Sequence, residues 1–225
     1  MLVPETMPYA IAAADRSGRR PRTSGRSPPG PRTLRRSLPS INLTIWAHDL
    51  AESLLAEPLP RRWAHSQGVA ARAQSLAGIL GDDAELLWAA AMLHDIGYTP
   101  SLATTGFHPL DGARYLRDRS AADERLVRLV ANHSYALLEA EERGLREELE
   151  GEFPILDHAG LVDALVYCDM TTTPDGTPTT VDARLAEIVT RYDCDSVVGR
   201  FIRRADEDLR AAVHRVEARL ILAER

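Results

Sequence analysis

The stretch Ala91-Met92-Leu93-His94-Asp95-Ile96-Gly97-Tyr98 decides how this chain is read: a hydrophobic helix end stops at a histidine and a carboxylate side by side. Neither group belongs in a core alone, because burying an unpaired imidazole or carboxylate costs several kcal/mol unless a proton, a hydrogen bond or a metal compensates. The pair reads as two metal ligands. A metal site needs others, and the chain on either side must supply them.

On both sides of this stretch the pattern is helical. From Leu43 to the C-terminus the apolar residues recur at helical spacing, broken by Gly, Pro, Asp and Ser, with no alternating strand pattern of useful length. The spacing predicts an all-α domain over residues 41–225, with helices over 43–56, 61–80, 83–95, 108–118, 121–132, 135–148, 155–171, 181–191 and 196–223. Pro58 and Pro60 separate the first two, Gly81-Asp82-Asp83 caps the third, and Gly97 and Pro100 stop it. The last segment presents Phe201, Leu209, Val213, Val216 and Leu220 on one face and reads as a packing helix, with homodimerisation as the alternative use of that face. Ahead of the domain, residues 1–40 form an Arg, Pro, Ser and Gly-rich tail. Its composition buries too little surface to offset the entropy of ordering, so it is expected to be disordered. A basic arm, a targeting peptide or a gene start placed too far upstream are the readings open for it.

Composition narrows the chemistry. All 27 basic residues are arginine, so a Schiff base and a Walker-type phosphate lysine are excluded. The two cysteines, Cys168 and Cys194, fit no metal-binding spacing and read as reduced packing residues. Net charge is −6, but residues 1–40 hold eight arginines against Glu5 and Asp15, which leaves the rest at −12. An acidic body argues against nucleic acid as a partner. No run of about 18 apolar residues exists to cross a membrane, and Ile11-Ala12-Ala13-Ala14 is too short for a signal-peptide core. The expectation is a soluble cytoplasmic protein.

Of seven histidines, His48, His158 and His214 lie in contexts that need no function, and His48-Asp49 repeats the dipeptide as a decoy with no glycine after it. The other four are placed differently. His65 lies in a helix whose Val69, Ala73 and Leu76 face inward, with Arg62 on its own face. His94 and Asp95 follow, then His108 ahead of Pro109, a residue suited to a first helical turn. His133 ends another helix, and Asp169 ends the apolar run from Leu161 to Cys168. The order is H, HD, H, H, D.

That order on a helical chain resembles the HD-domain superfamily of metal-dependent phosphohydrolases, and the phrases WAHSQGVA, AMLHDIGY and DALVYCDMTT look like bacterial members. The resemblance covers about residues 45–175 and implies an HD-domain helical bundle. It implies that His65, His94, Asp95 and Asp169 hold one divalent ion (Mn, Fe, Co, Ni, Zn or Mg). His108 and His133 match the positions that add a second ion in two-metal members, where the HD carboxylate bridges; second-shell or phosphate-binding roles stay open for both. The activity implied is hydrolysis of a small phosphate ester or anhydride, nucleotide-derived, by metal-activated water, with His94 and Asp95 at the centre of the chemistry and Arg61 or Arg62 on a substrate phosphate. A GYP motif is absent, which speaks against cyclic di-GMP hydrolysis, and so is the Glu-Asp signature of alarmone hydrolases. Asp163 competes with Asp169 for the last ligand position, and 171–177 is a candidate lining of the site mouth. The alternatives are an HD-fold di-iron oxygenase, which uses the same six ligands, and a non-catalytic HD sensor module.

Overall fold

The computed structural model describes residues 42–119, 122–223 and 225. The tail expected over 1–40 lies outside the described residues. The all-α expectation holds: the described residues form helices and turns, with one isolated bridge between Thr172 and Pro178. In order the α-helices are α1 (Leu43–Leu55), α2 (Pro60–Ser75), α3 (Ala77–Leu80), α4 (Ala84–Leu93), α5 (His108–Arg117), α6 (Glu124–Asn132), α7 (Ala136–Arg143), α8 (Arg146–Glu152), α9 (Ala159–Met170), α10 (Val181–Arg191) and α11 (Val197–Ala223). No described helix is long and apolar enough to cross a membrane.

Local chemistry explains the helix starts. The Asn42 side chain accepts from the N–H groups of Thr44 and Ile45, Asp123 caps α6, and Thr180 caps α10. Pro60 and Pro109 open α2 and α5, where a missing N–H costs nothing. Several expected boundaries shift. The helix expected over 61–80 breaks at Leu76, and the one over 135–148 divides at Gly144, whose φ of +71° is a left-handed C-cap. Asp83, expected to cap α4, makes no capping bond. Its carboxylate instead accepts from Arg125 Nη2 at 2.7 Å and lies 3.1 Å from His158 Nε2.

Helix α4 is the centre of the bundle, packed against α1, α2, α6 and α9. Its residues Leu86, Leu87, Ala89, Ala90, Ala91, Met92 and Leu93 are all buried, so it is apolar on every side, as a helix surrounded by others must be. Small alanines let neighbours approach. The second half of the bundle is α11 laid across α7, α9 and α10. Its inward stripe of Phe201, Leu209, Val213 and Val216 is buried as expected, whereas Leu220 is half-buried. Of the cysteines, Cys168 packs in the core and Cys194 is exposed, so the packing role expected of Cys194 is not what the fold gives it.

Gly97 has a different reason from the helix stop assigned to it. Helix α4 already ends at Leu93, and Ile96–Tyr98 continue as a 3-10 turn. A Cβ on Gly97 would lie 2.0 Å from the carbonyl oxygen of His108 and 2.7 Å from the nitrogen of Gly112, both backbone atoms of α5. The turn after the HD pair and the helix bearing His108 therefore touch backbone to backbone.

Candidate metal centre

Helix termini position three of the four histidines, His94, His108 and His133. His94 stands at the C-cap of α4, and its Nδ1–H donates to Ala91 O, three residues back, at 2.7 Å. His133 stands at the C-cap of α6 and repeats the device, donating Nδ1–H to Val130 O at 2.6 Å. Both use carbonyls that a helix end leaves without an intrahelical partner. His65, within α2, donates Nδ1–H to Thr173 O at 2.9 Å. In each case the proton sits on Nδ1 because a carbonyl can only accept, so Nε2 presents a lone pair inward. Metal-ligating histidines have this arrangement.

The lone pairs meet two carboxylates. His65 Nε2 is 3.2 Å from Asp169 Oδ1, and Asp95 Oδ1 lies 3.6 Å from His94 Nε2 and 3.4 Å from His108 Nε2. His108 Nε2 is 3.1 Å from His133 Nε2. Two overlapping groups result, His65–His94–Asp95 and Asp95–His108–His133, each with ligand atoms within 4.8 Å of one another and sharing Asp95. His94 Nε2 is buried with no hydrogen-bond partner. Leaving such an atom dry and unpaired costs roughly 1–3 kcal/mol, which a cation removes. The donor set, neutral imidazole with carboxylate, fits a divalent ion.

Charge is set for the same purpose. Burial raises the cost of ionising Asp95, yet Arg62, His94 and His108 hold its pKa well below the usual carboxylate range. Asp169 is likewise held low against its burial by His65 and His94 beside it. Burial lowers the pKa of His94 and of His108, which keeps both rings neutral. Burial also works against a charged His65, but Asp169 beside it raises its pKa.

Around this core the structure sorts the remaining sequence candidates. Asp169, at the end of α9, joins the centre. Asp163, its rival, is bound two-fold by Arg215 of α11 at 2.7 Å and does not. Arg62, expected on a substrate phosphate, is already engaged: Nη1 donates to Asp95 Oδ2 at 2.7 Å, and the guanidinium lies 3.8 Å from the Tyr98 ring centroid. Tyr98 stacks in turn on His108 at 3.9 Å. Arg61 is exposed at the mouth and paired with Asp175 of the 171–177 loop, Nε to Oδ1 at 2.7 Å. His48 and Asp49 stay outside the centre, 3.3 Å from each other near the protein surface.

Residues with no sequence signal complete the site. Ser134 donates its hydroxyl to Asp169 Oδ2, and it and Tyr135 hold left-handed backbone, φ +48° and +61°. Each such non-glycine residue costs of order 1–3 kcal/mol, a strain that functional sites retain. The strained corner turns α6 into α7 and carries His133. Asp111 fixes the loop ahead of His108: its carboxylate accepts from the N–H groups of Thr104, Thr105 and Gly106 at 3.0–3.1 Å and from the hydroxyls of Thr104 at 2.6 Å and Thr105 at 2.9 Å. Asp111→Asn turns one of these acceptors into a donor facing N–H groups. We expect it to cost about 2 kcal/mol and to lower the melting temperature by roughly 4–8 °C, read by calorimetry. An unchanged melting temperature contradicts the clamp.

The centre opens into a cleft, part of it open to solvent, whose lining includes Arg62, His65, Asp95, His108, His133 and Asp169. A model of the HD domain family matches residues 62–207, a span that runs from Arg62 through every residue of the centre. No curated protein and no solved structure matches the chain.

Proposed function

Because the chain belongs to the HD domain family, we propose that it is a metal-dependent phosphohydrolase acting on a small phosphate ester or anhydride of nucleotide size. HD domains bind divalent metals and are typical of metal-dependent hydrolases. The observation that supports the reading is the convergence of His94 Nε2, buried and unpartnered, with two ionised buried carboxylates and three further imidazoles. In this reading His65, His94, Asp95 and Asp169 hold one ion, and Asp95, His108 and His133 hold a second. A bound divalent ion supplies water ionised near neutral pH and offsets charge on a phosphoryl group under attack.

The chain's own residues do the rest. Arg62 takes Asp95 Oδ2 and leaves Oδ1 facing both histidine groups, so one carboxylate oxygen is poised between the two sites. Ser134 holds Asp169 Oδ2 and leaves Oδ1, 3.2 Å from His65 Nε2, facing the centre. Tyr98, stacked between Arg62 and His108, limits rotation of both. Exposed Arg61 exchanges a weak surface pair with Asp175 for an incoming phosphate. Localisation in the cytoplasm, and a small phosphorylated substrate in preference to nucleic acid, belong to the same proposal.

The test is elemental analysis of the purified protein followed by phosphate release from nucleotides and model phosphodiesters. We expect at least one divalent ion per chain, turnover abolished by chelation and restored by Mn. Turnover that survives chelation, or a chain that binds no divalent ion, sinks the proposal. Iron-dependent oxygen consumption without phosphate release would instead favour the oxygenase that shares these six ligands.

A further inference from the structure

The cleft has a second side, built by α10 and α11, that the metal centre does not use. Arg184 lines both the metal cleft and the adjoining opening formed with Arg61, Arg62, His65, Pro174 and Arg191. Its side chain is 9% exposed, and its Nε–H is buried with no acceptor. An arginine rarely gives up water on one donor without a partner, because an unmet buried donor costs roughly 1–3 kcal/mol. Its charge reaches the centre, since it helps hold Asp169 ionised.

The pairing of charges here is uneven. Arg62 is matched by Asp95, Arg61 by Asp175, and Arg143 by Glu139, which also lines the cleft. On α10, however, Arg184 and Arg191 share one carboxylate, Glu187, which touches Arg184 Nη1 and Arg191 Nη2. One positive charge is left over, beside the orphaned donor. The metal cleft also has apolar lining, made by Met170, Ile188, Tyr192, Val198, Phe201 and Ile202. A planar or aliphatic body fits such a wall, and an anion fits the arginines that share the cleft.

The geometry points to a second anion-binding subsite at Arg184 and Arg191, which takes a phosphate or carboxylate of the substrate remote from the group at the metal centre. The substrate class is then a small molecule with two anionic groups set apart by a body that rests on the α10–α11 wall. This rests on the hydrolase reading for the first group but not for the second. Glu187 holds the two guanidinium groups together in the free protein, and on binding the Arg184 side chain turns its unused Nε–H toward the incoming anion.

The test separates the two readings. Chelator-treated, 15N-labelled protein is titrated with inorganic phosphate while the Arg184 Nε–H resonance, assigned by its loss in Arg184→Gln, is followed by NMR. We expect a saturable shift of that resonance, and a dissociation constant at least tenfold weaker in Arg191→Gln, whose exposed site makes misfolding a poor explanation. With metal restored, the KM ratio between AMP and adenosine 3′,5′-bisphosphate should change at least tenfold in Arg191→Gln, and Arg184→Lys should recover part of what Arg184→Gln loses. Phosphate binding through Arg184 without hydrolysis of either nucleotide supports the subsite and removes the hydrolase. No shift at Arg184 Nε–H, or affinity and KM ratio unchanged in both glutamine variants, overturns the subsite even where hydrolysis is brisk.

Discussion

Asp95→Ala should empty the centre. Asp95 is the residue common to both ligand groups, so its removal takes a ligand from each at once, whereas loss of His65 or His133 touches one group alone. We expect bound divalent metal to fall below a tenth of the wild-type content and phosphate release to fall at least a thousandfold, equivalent to about 4 kcal/mol of transition-state stabilisation. The fold should survive. Arg62 loses its partner, but its side chain is 29% exposed, so the guanidinium can turn to water instead of remaining a buried unpaired charge. Far-ultraviolet circular dichroism should therefore match the wild type while elemental analysis and turnover collapse. Undiminished turnover in this variant refutes the mechanism, and the conservative Asp95→Asn should sit between, since it keeps the shape and loses the charge.

The second large effect is on the scaffold. Gly97→Val places three carbons where even one would lie 2.0 Å from the His108 carbonyl oxygen, and backbone atoms of a packed helix cannot swing aside as a side chain can. Overpacking in cores costs about 1–3 kcal/mol when side chains absorb it, and more when they cannot. We expect at least about 4 kcal/mol, a drop of roughly 8–16 °C in melting temperature, with His108 displaced from Asp95 in whatever folded protein remains. Gly97→Ala should show a smaller loss of the same kind. A melting temperature within about 2 °C of wild type for Gly97→Val would show that the contact between the turn and α5 is not tight.

These two predictions differ in how far the sequence foretold them. Asp95 was legible because a carboxylate after an apolar helix is a local anomaly, and partners in the order H, HD, H, H, D gave it a reason. Gly97 was visible but misread: a glycine after a helix suggests a stop, while its real cause is α5, whose approach no local pattern encodes. Arg62 was found without its partner. Its spacing put it on the face of His65, but the acceptor it reaches, Asp95 Oδ2, lies in the turn after α4.

The all-helical character, the break at Pro58 and Pro60, the first-turn Pro109 and the candidates His65, His94, Asp95, His108, His133 and Asp169 were legible in the chain itself. Periodicity and helix punctuation, which act over a few residues, carry the helices, while the order H, HD, H, H, D and the resemblance it supports carry the candidates. Tertiary structure alone sets Asp169 beside His65 and Asp163 against Arg215, because which face of α9 meets α2 and which meets α11 is not encoded locally. It alone placed the left-handed Ser134 on Asp169 and brought Arg184 and Phe201 to the cleft, turning a helix expected to pack or to dimerise into a wall of the site. The physical reason is the same for each: the partner that gives the residue its role is far away in the chain, and close packing, not local propensity, selects it.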